Sequence, residues 1–304
     1  MTYHFIVNPK AGKGDKQIRI LSQIIRTCEK NKVEYDVHTS SYSGHATEIS
    51  KSICKNSDDK RIYSCGGDGT LGEICTGVSG QKNVEIGCIP CGSGNDFVRN
   101  FEGVNFFDME KQLNGDSQII DMMKVSVGEK TMYSINAISI GFDSEVAMKM
   151  SRYKNIPLVS GSMSYIISIL FSLSKLKGLN MTIEMEDGVV DGCFLLCMSG
   201  NGGFYGGGFN GAPLARLDDG LMDIVSVNDI SIMKIPKLIA LYKNGAHRQP
   251  DLPTFKNVLN TYKSSMLKIT SSKLLPITVD GEGLYSKELS AEIVPDALKF
   301  VVPK

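Results

Sequence analysis

Short apolar strands alternate with amphipathic helices through the first third of the chain, and glycine-containing loops follow several of the strands. Strands are predicted over 3–7, 33–38, 61–65 and 84–89, and helices after Asp15 and over 46–54 and 71–78. In the first helix, apolar residues recur at helical spacing and predict its buried face: Ile18, Leu21, Ile24, Ile25 and Cys28. Strands separated by helices in this way predict a parallel sheet with helices on both faces.

Beyond Asp121 the sequence becomes richer in strands. Strands are predicted over 119–127, 132–140, 181–185, 193–199, 221–227, 266–270 and 277–279, and helices over 144–153, 162–176 and 232–242. This change predicts an antiparallel sandwich or barrel-like second domain. We therefore predict an α/β nucleotide-binding domain over 1–121 and a β-rich domain over 122–294, with residues 295–304 returning to the first domain.

Length and composition exclude several classes of protein. A chain of 304 residues that is 42% hydrophobic is long enough for two cores. The 33 basic residues balance the 33 acidic ones, so no net charge attracts nucleic acid. Eight scattered cysteines indicate a reducing compartment rather than a disulfide scaffold. The first residues show no signal-peptide pattern, and the apolar stretch over 163–176 is too short to cross a bilayer, so we expect a cytoplasmic protein.

The sharpest local signal is the glycine-rich turn from Gly66 to Thr70, between the third strand and its helix. Glycine lets an anion approach the backbone, and the N–H groups at a helix start attract phosphate. Asp68 lies among these donors, where a carboxylate holds magnesium or accepts a proton. This turn is therefore predicted to seat a phosphate group.

Two further loops have the same position relative to their strands. The loop over 90–96 contains two glycines, Ser93 and Asp96, and the loop over 8–14 contains Lys10 and Lys13. Because ligands of parallel sheets bind at the carboxyl ends of the strands, the three loops are predicted to enclose one nucleotide.

Several other motifs are incomplete and do not predict a functional site. Gly14 follows Lys13 where a P-loop has Ser or Thr, and no G-x-G-x-x-G fingerprint opens the first helix. Cys88 and Cys91 have no second cysteine pair or histidine at ligand spacing, so they are not interpreted as a metal site. The histidines His38, His45 and His247 are interpreted as isolated surface or helix-cap residues.

Seven motifs follow one another along nearly the whole chain: Asn8-Pro9 to Gly12, Gly66 to Thr70, Gly92 to Asp96, Ile120-Asp121, Gly141-Phe142-Asp143, Asp218 to Leu221, and Val279 to Glu282. Their types and order resemble the soluble bacterial diacylglycerol kinases and their sphingosine kinase and ceramide kinase relatives. The resemblance implies an α/β domain like that of NAD kinase and phosphofructokinase, followed by a β-sandwich domain. It also implies ATP-dependent phosphorylation of a membrane lipid hydroxyl, with diacylglycerol converted to phosphatidic acid.

The resemblance assigns roles to individual residues. The ATP phosphates would be cradled by Gly66, Gly67, Asp68, Gly69, Thr70, Leu71 and Gly72, with further nucleotide contacts from Asn8, Pro9, Gly12, Thr39, Ser40 and Ser93. Catalytic magnesium would be held through waters by Asp68, Asp96 and Asp121. A second, structural magnesium would be held by the Asp219 side chain and the carbonyls of Arg216 and Leu221. Relatives usually have Asn where this chain has Gly72, which removes a side-chain amide near the phosphates. Many have Thr where this chain has Ser93, which keeps the hydroxyl.

Several functional alternatives stay open at this point. The resemblance makes Glu282 the general base, but the sequence alone does not separate it from Asp68 in this role. NAD kinases also contain a Gly-Gly-Asp-Gly loop, a sphingoid base or another lipid is an alternative acceptor, and a non-catalytic nucleotide-binding or lipid-binding regulator is a further class. We expect a lipid substrate and transient peripheral contact with a membrane, no nucleic acid partner, and a homodimer as the commonest form of assembly.

Overall fold

A computed structural model describes residues 1–12, 16–153, 178–248 and 256–304. The chain forms two compact units, one made of residues 1–122 and 294–304 and the other of residues 123–293. The helix predicted over 162–176 lies outside the described residues, as do Lys13, Gly14 and Asp15.

The first unit is built on parallel strands joined by helices. Its elements are β1 (Thr2–Val7), α1 (Lys16–Asn31), β2 (Tyr35–Thr39), α2 (His45–Ile53), β3 (Lys60–Gly66), α3 (Asp68–Val78), β4 (Val84–Pro90) and α4 (Met109–Leu113). The strands pair in parallel in the order β4-β3-β1-β2. At the end of the chain, Lys299 and Phe300 add a further parallel pairing beside β4. The carboxyl ends of β1, β3 and β4 thus lead into the three glycine-containing loops.

The apolar core of the first unit lies between the sheet and α1. Ile20, Ile24 and Cys28 are buried and pack in one cluster with Phe5 and Tyr63. They recur every four residues and form a single stripe on the helix. The predicted apolar face was therefore partly wrong: Ile18, Leu21 and Ile25 lie on the neighbouring stripe and are exposed.

The second unit is mostly antiparallel. Its strands are β5 (Asp116–Val127), which begins in the first unit, β6 (Lys130–Ser134), β7 (Ala137–Gly141), β8 (Leu179–Met185), β9 (Gly188–Gly200), β10 (Phe204–Tyr205), β11 (Phe209–Asn210), β12 (Met222–Asn228), β13 (Leu259–Ser264), β14 (Met266–Val279) and β15 (Glu282–Val302), which ends in the first unit. Its helices are α5 (Phe142–Tyr153) and α6 (Ile235–Lys243). The strands β13, β12, β9, β7 and β14 pair in that order, and β8 pairs with both β9 and β14. The predicted combination of an α/β part and a β-rich part is confirmed.

Two strand boundaries differ from the prediction. The strand predicted over 132–140 is two strands, because the backbone turns aside at Ile135. The backbone N–H groups of Ile135 and Ala137 both donate to the Asp280 carboxylate. The two strands predicted over 266–270 and 277–279 are one, since β14 continues through an irregularity between Thr270 and Leu275.

Candidate active site

The loops that follow β3 and β4 are joined by backbone hydrogen bonds. The N–H groups of Cys91 and Gly92 both donate to the carbonyl of Gly66, at 2.7 and 3.2 Å. Asp68 adds a second connection, because its Oδ1 accepts from the backbone N–H groups of Asp96 and Phe97 at 2.7 and 3.1 Å. The two glycine-rich loops therefore form one assembly at the carboxyl ends of adjacent strands.

Two glycines allow the loops to approach this closely. A Cβ atom on Gly92 would lie 2.6 Å from the Cα atom of Gly67, which no real side chain tolerates. Gly67 precedes the first residue of α3, so its backbone belongs to the helix start that was predicted to receive phosphate. The close packing of these two backbones explains why glycine is needed at both positions.

The Asp68 and Asp96 carboxylates converge beside Gly94. A Cβ atom on Gly94 would lie 3.1 Å from Asp68 Oδ2 and 3.1 Å from Asp96 Oδ2, so both oxygens face the same small volume. Asp96 is buried, and Arg99 pairs with its other oxygen at 3.4 Å. Next to them, Asn95 Oδ1 is buried without a hydrogen-bond partner among the described residues. Two carboxylate oxygens that face one volume are ligands of the kind that a hard cation takes.

The loop after β1 joins the same assembly. Asn8 Nδ2 donates to Thr70 Oγ1 at 3.0 Å, and Asn8 Oδ1 accepts from the backbone N–H of Lys10. Lys16, at the start of α1, donates to the carbonyl of Cys91 at 3.4 Å. Gly12 has a φ of 84°, a conformation that favours glycine and leads the chain toward α1.

The other predicted nucleotide contacts lie at the ends of these elements. Thr39 pairs with Val7 in the β1–β2 register, and the N–H of the buried Ser40 donates to the Val7 carbonyl at 2.9 Å. Pro9 and Ser93 are exposed on the loops, and Gly69 is exposed in the first turn of α3, where Leu71 and Gly72 are buried.

Asp121 lies on β5 and is almost fully buried. Its Oδ1 accepts the backbone N–H of Asp296 at 2.9 Å, so the carboxylate holds the returning end of the chain. Asp68 and Asp96 are brought to one point beside Gly94, and a shared metal role for Asp121 stays a prediction.

Glu282 begins β15 directly after a tight hairpin turn. Asp280 and Gly281 have φ angles of 45° and 87°, the combination of a type I′ turn. The Glu282 side chain is 41% exposed and forms an ion pair with Lys130. A carboxylate on a fixed hairpin with access to solvent is suitable for accepting a proton.

Asp280 holds this hairpin in place, a role that sequence reasoning missed. It is buried, and its carboxylate accepts from Ser134 Oγ at 2.8 Å and from the backbone N–H groups of Ile135 and Ala137 at 3.0 Å each. The Asp-Gly dipeptide before Glu282 was the available signal for the turn, but it does not reveal partners about 145 residues away.

The predicted structural magnesium site at Asp219 already contains a positive charge. Lys263 Nζ lies 2.8 Å from Asp219 Oδ2 and 3.1 Å from Asp223 Oδ2, and the other Asp219 oxygen accepts the Leu221 N–H. Arg216 is exposed and pairs with Asp218. Lys263 engages one oxygen of the Asp219 carboxylate and leaves lone pairs on both oxygens, so a structural magnesium held by Asp219 with the carbonyls of Arg216 and Leu221 stays a prediction.

A half-buried carboxyl group in the β-rich unit was not predicted as a site. Asp143 Oδ2 accepts from the Tyr205 hydroxyl at 2.8 Å, and the Tyr205 and Tyr242 hydroxyls lie 3.3 Å apart. Withdrawal from water raises the pKa of Asp143 to about 6, although hydrogen bonds from Tyr205 and Ser144 oppose the shift. The Gly141-Phe142-Asp143 motif contained this residue, but its aromatic partners come from distant segments.

Comparison with known families accounts for both halves of the chain. The model of the diacylglycerol kinase catalytic domain matches residues 2–125, and that of the YegS C-terminal NAD kinase beta sandwich-like domain matches residues 136–302. The chain belongs to the diacylglycerol kinase family of lipid kinases. The predicted family is thereby confirmed, and the protein is a lipid kinase.

Individual members of the family are similar over nearly the full length. The chain is 28% identical over 294 residues to a diacylglycerol kinase of Staphylococcus carnosus (strain TM300), covering 95% of this chain and 90% of that protein. It is 27% identical over 284 residues to a diacylglycerol kinase of Staphylococcus saprophyticus, covering 91% and 87%. The crystal structure of a diacylglycerol kinase from Bacillus anthracis str. Sterne superposes with a TM-score of 0.71 at 20% identity, covering 99% of this chain and 96% of that one. This last likeness shows the shared fold.

Among the residues that the structure describes, not one helix combines the length and the apolar character needed to cross a bilayer.

Proposed function

We propose that this lipid kinase transfers the γ-phosphoryl group of ATP to the free hydroxyl of diacylglycerol at a membrane surface. The observation that carries the proposal is the single assembly of three loops at the carboxyl ends of β1, β3 and β4. These loops present a helix start, the glycine backbones and two convergent carboxylates. Phosphoryl transfer needs chiefly this kind of positioning and charge stabilisation.

Magnesium fits the first unit on the chemistry of its donors. Asp68 Oδ2 and Asp96 Oδ2 face one volume beside Gly94. On the same loop, Asn95 Oδ1 faces Gly92 and is buried with no hydrogen-bond partner among the described residues. Oxygen ligands are those that magnesium prefers. Bound there, the ion would neutralise negative charge on the phosphates. We keep Asp121 as a further contributor through water.

The protein's own residues would position the donor and accept the proton. The backbone groups from Gly66 to Gly72, with Ser93, Thr39 and Ser40, would orient the nucleotide. The lipid hydroxyl oxygen forms the new bond to the γ-phosphorus while the bond from that phosphorus to the bridging oxygen breaks, and ADP leaves. The hydroxyl proton passes to Glu282, which we favour over Asp68 because Asp68 Oδ1 already accepts two backbone N–H groups.

The proposal is tested by transfer of labelled γ-phosphate from ATP, with magnesium, to vesicles containing diacylglycerol, sphingoid base or ceramide, and to NAD in solution. We expect labelled phosphatidic acid from the full chain and at least a hundredfold less from Glu282→Ala, the scale of a lost general base. Glu288→Ala is the matched control, because Glu288 is an exposed carboxylate on the same strand. It is expected to retain full activity.

Each alternative acceptor has its own outcome. Label on the sphingoid base or ceramide alone would keep the lipid kinase chemistry and reject diacylglycerol. Label on NAD alone would reject a lipid acceptor. Folded protein that labels none of the four compounds would overturn the proposed reaction, and retention of activity in Glu282→Ala would reject Glu282 as the base.

A further inference from the structure

Two histidines and an aspartate meet on the first two strands, at a place that the proposed reaction does not use. In the parallel register, His4 pairs with Asp36 and Ile6 pairs with His38. Paired residues on neighbouring strands point to the same face, and so do residues two apart on one strand. His4, Asp36 and His38 therefore project together. The interpretation of His38 as an isolated residue was wrong.

The ligand atoms of these side chains have the spacing of a metal site. His4 Nδ1 lies 3.3 Å from His38 Nε2 and 3.4 Å from Asp36 Oδ2, and all three atoms lie within 4.8 Å of one another. In a tetrahedral zinc site with bonds of about 2.0–2.1 Å, neighbouring ligand atoms are about 3.3–3.4 Å apart. These two separations match this edge length, and the third pair of ligand atoms lies within 4.8 Å.

Burial and charge suit the same interpretation. His4 is buried, His38 is half-buried and Asp36 is exposed, so one side of the cluster is open to solvent. Lys60 is a nearby cation, but its ammonium group donates to the backbone carbonyls of residues 56 and 58.

We propose that His4, Asp36 and His38 bind one divalent transition-metal ion of the zinc class, with solvent in the remaining coordination position. Two imidazole nitrogens and one carboxylate oxygen suit Zn²⁺, Co²⁺, Ni²⁺ or Cu²⁺ better than Mg²⁺, which prefers oxygen ligands throughout. The site is separate from the convergent carboxylates beside Gly94 and does not depend on the proposed reaction.

The location suggests what the ion would do. β2 is the last strand in the order β4-β3-β1-β2, and the ion would connect it to β1 through side chains. Thr39, a predicted nucleotide contact, follows His38 directly. Metal binding would therefore fix the end of β2 next to the nucleotide loops.

The test uses the full chain, freed of metal by a chelator and titrated with Zn²⁺ in a calorimeter and with Co²⁺ in a visible absorption spectrometer. We expect one equivalent of Zn²⁺ to bind in the presence of excess Mg²⁺. Bound Co²⁺ should show the visible bands of a four- or five-coordinate ion, without the intense charge-transfer absorption that cysteine thiolate ligands produce.

Variants assign the ligands. Asp36→Asn and His38→Ala are each expected to weaken Zn²⁺ binding at least tenfold, because even the outer partners of metal ligands contribute that much. Asp36 is exposed, so its variant should fold even if His38→Ala does not. His45→Ala is the matched control, since His45 belongs to the same unit and stacks on Tyr42 instead.

The inference is overturned if the metal-free wild-type chain binds no Zn²⁺, or if Asp36→Asn binds it with unchanged affinity. Thiolate absorption from bound Co²⁺ would also overturn it, because the ion would then be held by cysteine. None of these readouts uses kinase activity, so failure here is distinct from failure of the proposed function.

Discussion

Replacing Asp68 by alanine or by asparagine separates two contributions of this side chain. Alanine removes the acceptor of the Asp96 and Phe97 backbone N–H groups, which donate at 2.7 and 3.1 Å. Hydrogen bonds to a charged group contribute about 1.5–3 kcal/mol each, and the lower value applies to a half-buried carboxylate, so Asp68→Ala should destabilise the first unit by about 3 kcal/mol. Asparagine keeps an oxygen acceptor and should cost about 1 kcal/mol.

Both variants lose the negative charge that faces Asp96 beside Gly94. We therefore expect each to reduce phosphoryl transfer by about a hundredfold or more, the scale of one lost electrostatic contact in a transition state. Equal loss of activity with unequal loss of stability is the signature of the two contributions.

Native-state hydrogen exchange at the amides of Asp96 and Phe97 measures the loop connection directly. Their protection should fall in Asp68→Ala and persist in Asp68→Asn, while transfer of labelled phosphate reports the charge. Asp108→Ala is the matched control, because Asp108 accepts two backbone N–H groups at the start of α4, away from the glycine loops. Unchanged protection in Asp68→Ala would refute the loop connection, and wild-type activity in Asp68→Asn would refute the electrostatic role.

Three further changes test other parts of the structure. Gly92→Ala places a Cβ atom 2.6 Å from Gly67 Cα, so it should separate the two loops and raise the KM for ATP at least tenfold, and an unchanged KM would contradict the close approach. Asp280→Ala removes three hydrogen bonds to a buried carboxylate and should lower the free energy of unfolding by about 3 kcal/mol or more in urea titrations, with Asp218→Ala, an exposed carboxylate, as control. For Asp143, the folded-state pKa of about 6 exceeds the unfolded value of 3.8. Between these two pH values, Asp143 is protonated in the folded state and ionised in the unfolded state. The free energy of unfolding should fall by at most about 3 kcal/mol as the pH rises from about 4 to about 6, and Asp143→Asn should abolish that slope.

Local patterns were sufficient for the fold class and for the glycine loops. Strand length, helical spacing and the glycines at strand ends are properties of neighbouring residues, and they predicted β1, β3, β4 and the loops that follow them. The face of α1 was harder to predict, because two adjacent stripes of apolar residues compete and the fit to the sheet decides between them. The stripe of Ile20, Ile24 and Cys28 is the buried one.

Features that depend on register were beyond the sequence. The division between β6 and β7 follows from the Asp280 carboxylate, which joins the chain at Ile135 from about 145 positions away. The contact between His4 and His38 likewise depends on how two parallel strands align, 34 positions apart. No local spacing specifies either alignment, so the sequence alone does not predict that these residues are in contact.

Among the described strands, β2 lies at the end of the sheet, and this position has a consequence for self-association. A terminal strand offers its open backbone groups to other chains, and charged side chains along it discourage such pairing. Asp36 supplies that charge in the middle of β2, next to the partly exposed Val37. Replacement of Asp36 by asparagine removes the charge at this position, whereas a bound divalent cation changes it from negative to positive. The aggregation state of the chain in solution is therefore expected to vary with its metal content.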